Sequence, residues 1–161
     1  MTENVLVPID GSPLSHEALR HALEAFPDTG VTVLYVIDLF GSDAGGEIGS
    51  AYEPLMGSDE WYGQAEERAE ELLDDIDKDT VDFEGKLLDE AEAIAEEHGR
   101  DVATVSEIGT PERIIVDFAG EEDIDHVVLG THGRGDGDRP LYGSTAETVA
   151  RRAPVPVTIV R

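Results

Sequence analysis

Val31–Ile37 (VTVLYVI) is an unbroken, mostly β-branched apolar run, and it constrains the fold more than any other segment of this chain. A strand with almost no polar face must be covered on both sides. That suits a parallel sheet held between helices better than an antiparallel sheet wetted on one side. Four further strand-like runs follow the same logic: Asn4–Ile9 (NVLVPI), Asp101–Ile108, His126–Leu129 and Val155–Val160 (VPVTIV). Pro8, near the end of the first, implies an edge strand or a terminating position.

Helical segments alternate with these strands. Ser12 is placed to cap a helix that Pro13 opens, and Leu14, Ala18, Ala22 and Phe26 recur at helical spacing until Pro27 and Gly30 stop it. Phe83, Leu87, Leu88, Ala91, Ile94 and Ala95 share one face of a helix expected from Phe83 to His98, ended by Gly99. Gly109-Thr110-Pro111-Glu112 opens another, to about Gly120, with Ile114, Ile115 and Phe118 as its stripe, and Thr145–Arg152 is the last. Between the second strand and these helices, Leu39–Gly57 reads as a long mobile loop and Asp59–Ile76 as a Glu- and Ala-rich helix, with a break near Lys78–Thr80. The alternation predicts one α/β domain over residues 1–161, an open, mainly parallel five-stranded sheet with helices on both faces.

Composition narrows the function classes. Lys and Arg total 11 against 37 Asp and Glu, a formal charge of −26, yet 40% of residues are hydrophobic and the periodic segments survive, so disorder is not the reading. The carboxylates run along the whole chain, which points to adaptation to a high-salt cytoplasm, where a Debye length of about 3 Å at molar salt screens their repulsion. So few cations cannot build a basic face for nucleic acid. The chain contains no cysteine, which excludes disulfides and thiol chemistry, and no run approaches a membrane span. With no leader-like segment before the first strand, a soluble cytoplasmic protein is expected.

In parallel α/β sheets ligands bind outside the carboxyl ends of the strands, where strand order reverses. Two such ends carry unusual residues: Asp10-Gly11-Ser12 after the first strand, and Gly130-Thr131-His132-Gly133, nine residues, then Gly143-Ser144-Thr145 after the fourth. Glycines let backbone N–H groups approach an anion, and hydroxyls at a helix start add donors where the helix dipole favours negative charge. Should the first and fourth strands be neighbours, an acidic side chain and a phosphate cradle would face one crevice, a pairing that suits a nucleotide. On its own, Asp10 is better explained as a turn or helix-capping residue, and the second loop tips it toward ligand contact. His132 either donates to a phosphate or is exposed, and His98 and His126 read as structural or solvent-facing. The glycines at Gly41–Gly49 lack the Gly-Lys-Ser/Thr ending of a P-loop.

The spacing Gly130, Gly133, Gly143, Ser144 resembles that of the universal stress protein family, in its nucleotide-binding branch. Leu6–Ser12, Tyr35–Asp38, Gly109–Pro111 and Val155–Val160 are similar to further family segments, so the likeness spans nearly the whole chain except 39–80, where members vary. The resemblance implies a Rossmann-like fold of strand order 3-2-1-4-5. It implies ATP or AMP, with Mg2+ carried by the nucleotide, contacted by Asp10 at ribose or base and by Pro8 and Ile9 through backbone. Val36 would meet the adenine, Leu129 and Gly130 would line ribose and first phosphate, and Gly133, Gly143, Ser144 and Thr145 would donate to the phosphates, with His132 and Arg134 beside them. It also implies a homodimer paired through Val155–Val160, an apolar edge that needs cover in any case, and a role as a stress-response sensor. An ATPase or phosphate-transferring enzyme of the same fold is the rival, with His132, Arg134 and Arg139 as its only nearby charge-stabilising groups. A structural or chaperone-like dimer with a vestigial site is the third reading. Asp136 and Asp138 in the spacer are either halophilic surface substitutions or neighbours of a cation that bridges them to phosphate.

Overall fold

Five parallel strands form one sheet in the order β3-β2-β1-β4-β5: β1 (Asn4–Ile9), β2 (Gly30–Ile37), β3 (Ala103–Ile108), β4 (His126–Gly130) and β5 (Val157–Val160). The computed structural model describes residues 3–38, 78–121, 123–131 and 144–161. Strand order is the one that the resemblance implied. β1, whose Val5, Leu6 and Val7 are fully buried, lies at the centre rather than at an edge. Pro8 therefore occupies the other position open to it: the β1–β4 ladder stops at Leu6↔Val127, two residues earlier, so the missing N–H costs no bond there.

The pleat divides the core in two. Val5, Val7, Ile9, Val31, Val33 and Val128 pack against α1 (Pro13–Ala25) and α2 (Lys78–Glu97). Leu6, Leu34, Val127 and Leu129 pack against α3 (Pro111–Glu121) and α4 (Ser144–Arg152). Helices thus cover both faces, which is why β2 can be apolar on both.

Local signals set the helix ends. Ser12 accepts the Ser15 N–H on its hydroxyl at 3.2 Å and Pro13 follows, so α1 begins as expected. Its buried stripe is Ser15, Ala18, Leu19, Ala22 and Leu23, while Leu14 and Phe26 are half-buried. At its far end the Arg100 guanidinium donates to the carbonyls of Leu23 and Phe26, at 2.9 Å each, and of Thr29. α2 ends in a Schellman turn: Gly99 N–H reaches Glu96 O at 2.9 Å and Arg100 N–H reaches Ala95 O at 2.9 Å.

Three boundaries differ from expectation. α2 starts at Lys78, where a break was expected: Lys78, Asp79 and Thr80 carry no proline or glycine that would stop a helix. β5 starts at Val157 rather than Val155, since Pro154 and Pro156 have no N–H to give a ladder. β3 starts at Ala103 rather than Asp101. The segments expected as a loop at Leu39–Gly57 and a helix at Asp59–Ile76 lie outside the described residues.

Candidate functional site

The site begins where β1 and β4 part. Their ladder is confined to Val5↔His126 and Leu6↔Val127, whereas β1 stays paired with β2 as far as Ile9↔Tyr35, and β4 with β5 as far as Gly130↔Val160. β1 connects outward to β2 and β4 to β5, so the order reverses at this pair, and the crevice opens at the carboxyl ends of both strands.

The β1 side of the crevice is a hydrogen-bonded turn. Asp10 Oδ1 accepts the Ser12 N–H at 2.9 Å, closing an Asx turn, and the Ser15 hydroxyl donates to Ser12 O at 2.8 Å. Gly11 sits at φ +82, a left-handed conformation that a side chain rarely adopts. The turn reading of Asp10 therefore holds, and it leaves the carboxylate anchored at the crevice. Continuing the β1–β2 register by one residue sets Asp10 across from Val36. Pro8 and Val36 lie on the same side of the sheet as Leu6, Leu34 and Leu129, whereas the Ile9 side chain packs in the core on the other side.

The β4 side ends in Leu129, which is buried, and Gly130; Thr131 N–H then donates to Val160 O at 2.8 Å. Gly130 has a packing reason that its motif did not reveal. A Cβ there would lie 2.9 Å from Leu14 Cβ and 3.0 Å from the Leu14 carbonyl carbon and oxygen. Only a bare Cα lets the first turn of α1 lie against the end of β4, which draws the Asp10 loop and Gly130 together.

Ser144 and Thr145 open α4. β4 and β5 run parallel, so the helix joining them runs the opposite way and presents its N-terminal N–H groups at the carboxyl end of the sheet, where an anion is favoured. The structure thus brings Pro8, Ile9, Asp10, Val36, Leu129, Gly130, Ser144 and Thr145 to one end of the sheet. His132, Gly133, Arg134 and Gly143 lie outside the described residues, as do Asp136, Asp138 and Arg139.

The shifted titrations lie elsewhere. Burial, helped by nearby His21, pushes the His126 imidazole below the ordinary histidine value; its Nε2 is hydrogen-bonded to Thr158 Oγ1 at 2.7 Å and its ring packs on Phe26 at 4.9 Å. Backbone N–H groups of Asn4 and Glu3, each 2.9 Å from Asp125 Oδ2, hold that carboxyl below its usual range. His98 Nδ1 donates to Ile94 O at 2.9 Å. His98 and His126 are thus structural, as their positions in the sequence suggested. An open groove of 490 Å³ among Asn4, Gly120, Asp123, Asp125 and Pro154 lies at the amino ends of the strands, away from the crevice. Among the described residues no group of His, Asp and Glu is placed to hold a metal, and no helix is long and apolar enough to cross a membrane.

Three bracing residues were missed as site residues: Phe83 and Leu87, which lie against Gly11 in the Asp10 loop, and Leu14, which lies against Gly130. Phe83 and Leu87 were legible as the buried face of α2, and Leu14 as part of the apolar stripe of α1. Which loop each touches is a tertiary fact.

Comparison with known proteins agrees with this fold. The model of the universal stress protein family matches residues 1–161. A universal stress protein of Methanocaldococcus jannaschii, MJ0531, is 31% identical over 99% of this chain and 82% of its own length. Among solved structures, a universal stress protein in complex with cAMP superposes with a TM-score of 0.63 at 22% identity, covering 99% of this chain and 97% of that one. The universal stress protein from Archaeoglobus fulgidus in complex with dAMP gives 0.57 at 21% identity, covering 100% and 98%.

Proposed function

Since the chain belongs to the universal stress protein family, we propose that it binds an adenine nucleotide, ATP or AMP, in the crevice between the ends of β1 and β4. The observation that carries this reading is the early end of the β1–β4 ladder, with the anchored carboxylate of Asp10 on one lip and Gly130 on the other. Asp10 would accept from ribose hydroxyls, and Val36, on the neighbouring strand, would pack against the base. The backbone at Gly130 and the N–H groups that open α4 would meet the phosphates. Gly133, Gly143, His132 and Arg134 would complete the cradle, and Mg2+ would arrive on the nucleotide. Two relatives of the same fold whose crystals hold cAMP and dAMP support an adenine ligand.

The role that fits is reporting rather than turnover: a ligand that prefers one conformer shifts the population, and a sensor needs no more. Pairing through β5 would give the homodimer. Among the described residues β5 has only β4 as a neighbour, and its Val157, Ile159 and Val160 are half-buried in the single chain.

Thermal melting in molar KCl with Mg2+ and ATP, AMP, cyclic AMP or GTP tests the reading. At ligand near 100 times its dissociation constant the gain is about 2.7 kcal/mol, or roughly 5–10 °C for a domain of this size. The gain should be smaller in Asp10→Ala. The absence of a shift with every adenine nucleotide sinks the proposal. Sedimentation of the same samples tests the dimer.

A further inference from the structure

The Asp10 loop is held from the side by α2, a helix to which no nucleotide contact is assigned above. A Cβ on Gly11 would fall 2.7 Å from Leu87 Cδ2 and 3.7 Å from both Leu87 Cδ1 and Phe83 Cζ, so the isobutyl end of Leu87 rests on the bare backbone of the turn. Leu87 is 3% exposed and lies in the core that α1, α2 and the sheet share. Phe83, one turn earlier on α2, meets the Tyr35 ring edge-on at 6.2 Å and 67°, and Tyr35 pairs in register with Ile9, the residue before Asp10. Contacts therefore run in a closed circuit: Asp10 and Gly11, Leu87, Phe83, Tyr35 and back to Ile9. Within the turn, the Asp10–Ser12 hydrogen bond and the Ser12 cap fix the backbone's shape. Neither sets how close the turn lies to α2, and Leu87 is the side chain that meets it there.

We propose that Leu87 is a positioning residue for the nucleotide contact of Asp10, acting through Gly11, and that α2 is thereby coupled to the site. The proposal rests on the nucleotide reading above for its consequence and on the Gly11–Leu87 contact for its cause. Shortening Leu87 removes the surface on which Gly11 rests, and the turn can then move as a unit, taking the Asp10 carboxylate with it. A merely structural leucine predicts something different. Its loss would lower stability and leave the affinity of the folded protein alone.

Isothermal titration with ATP and Mg2+ in molar KCl separates the two. Leu87→Ala should weaken binding about tenfold at a temperature where the protein is fully folded, with Leu87→Val intermediate and Leu87→Met near wild type. In an Asp10→Ala background the same substitution should change affinity little, because the contact it positions is gone. Ile94→Ala is the control. Ile94 is buried in the same core about 10 Å further along α2, and its loss should cost stability without affinity. Unchanged affinity in both Leu87→Ala and Leu87→Val, or an equal loss with and without Asp10, overturns the proposal. Hydrogen exchange of the Ser12 N–H, which the Asp10 carboxylate accepts, reports on the loop with no ligand present. It should accelerate in Leu87→Ala or Leu87→Val and not in Ile94→Ala; equal rates in all of them overturn the proposal even if the protein binds no nucleotide.

Discussion

Gly130→Ala tests whether the site is held together by the close approach of α1 to β4. The new methyl would sit 2.9 Å from Leu14 Cβ and 3.0 Å from the Leu14 carbonyl carbon and oxygen, against an ordinary carbon contact of about 3.5–4.0 Å. The overlap is thus roughly 0.5–1 Å, and two of the three atoms are backbone, so no rotamer change relieves it. Either β4 or α1 must give. The end of β4 is held by its Gly130↔Val160 pairing and by the Thr131 N–H to Val160 O bond at 2.8 Å. The start of α1 is held by the Ser12 cap, with Ser15 N–H 3.1 Å from Ser12 O and 3.2 Å from its Oγ. Overpacking of this kind costs about 1–3 kcal/mol. The reduced freedom of the unfolded chain returns about 0.4–1 kcal/mol, leaving a net loss of about 1–2 kcal/mol. In urea unfolding in molar KCl the midpoint should fall with little change in slope. Gly85→Ala provides the contrast. Gly85 lies within α2 with no atom inside 4 Å of a new Cβ, and should gain up to about 1 kcal/mol from helix propensity. A Gly130→Ala protein as stable as wild type, or a Gly85→Ala protein destabilised as much, would refute this account of the crevice.

Arg100→Ala should cost about 2 kcal/mol by leaving three carbonyls at the end of α1 without their charged donor. Arg100→Lys should recover less than half, because one ammonium cannot span what the planar fork reaches; full recovery in thermal melts would contradict this. The lowered His126 pKa has a definite sign. The imidazole is neutral in both states above about pH 6.5, and below that the unfolded chain takes the proton first, so stability falls with pH until the folded value is passed. That slope should shrink in His126→Gln, and an unchanged slope between wild type and variant would assign the effect elsewhere. Finally, at a formal charge of −26 the melting temperature should drop on dilution from molar to ~50 mM salt as screening is lost; a flat response would contradict the self-repulsion argument.

Ser12, Pro13 and Gly99 were visible as helix boundaries because capping depends on neighbours in the chain. The apolar run at β2 made a parallel sheet legible, because a strand buried on both faces shows it in every residue. The start of α2 at Lys78 was not legible. A polar stretch without proline or glycine reads equally well as the first turn of a helix or as a loop. Asp10 and the Gly130 loop could be named as candidates, and the nucleotide roles of Pro8, Val36 and Leu129 came only with the family likeness. From the residues themselves their convergence was only conditional, and it came with the strand order that the family likeness implied. It depends on β1 and β4 being neighbours whose ladder stops at Leu6↔Val127, and on a register that sets Asp10 across from Val36.

The sequence alone therefore determined the elements, the α/β class and the residue types offered at the strand ends, since each follows from short-range conformational preference and burial pattern. Tertiary structure decided which ends face each other. It also gave Gly130 and Gly11 their partners in Leu14 and Leu87, contacts made between residues far apart in the chain. Glycine marks the absence of a side chain, and only the packed fold shows what occupies the space.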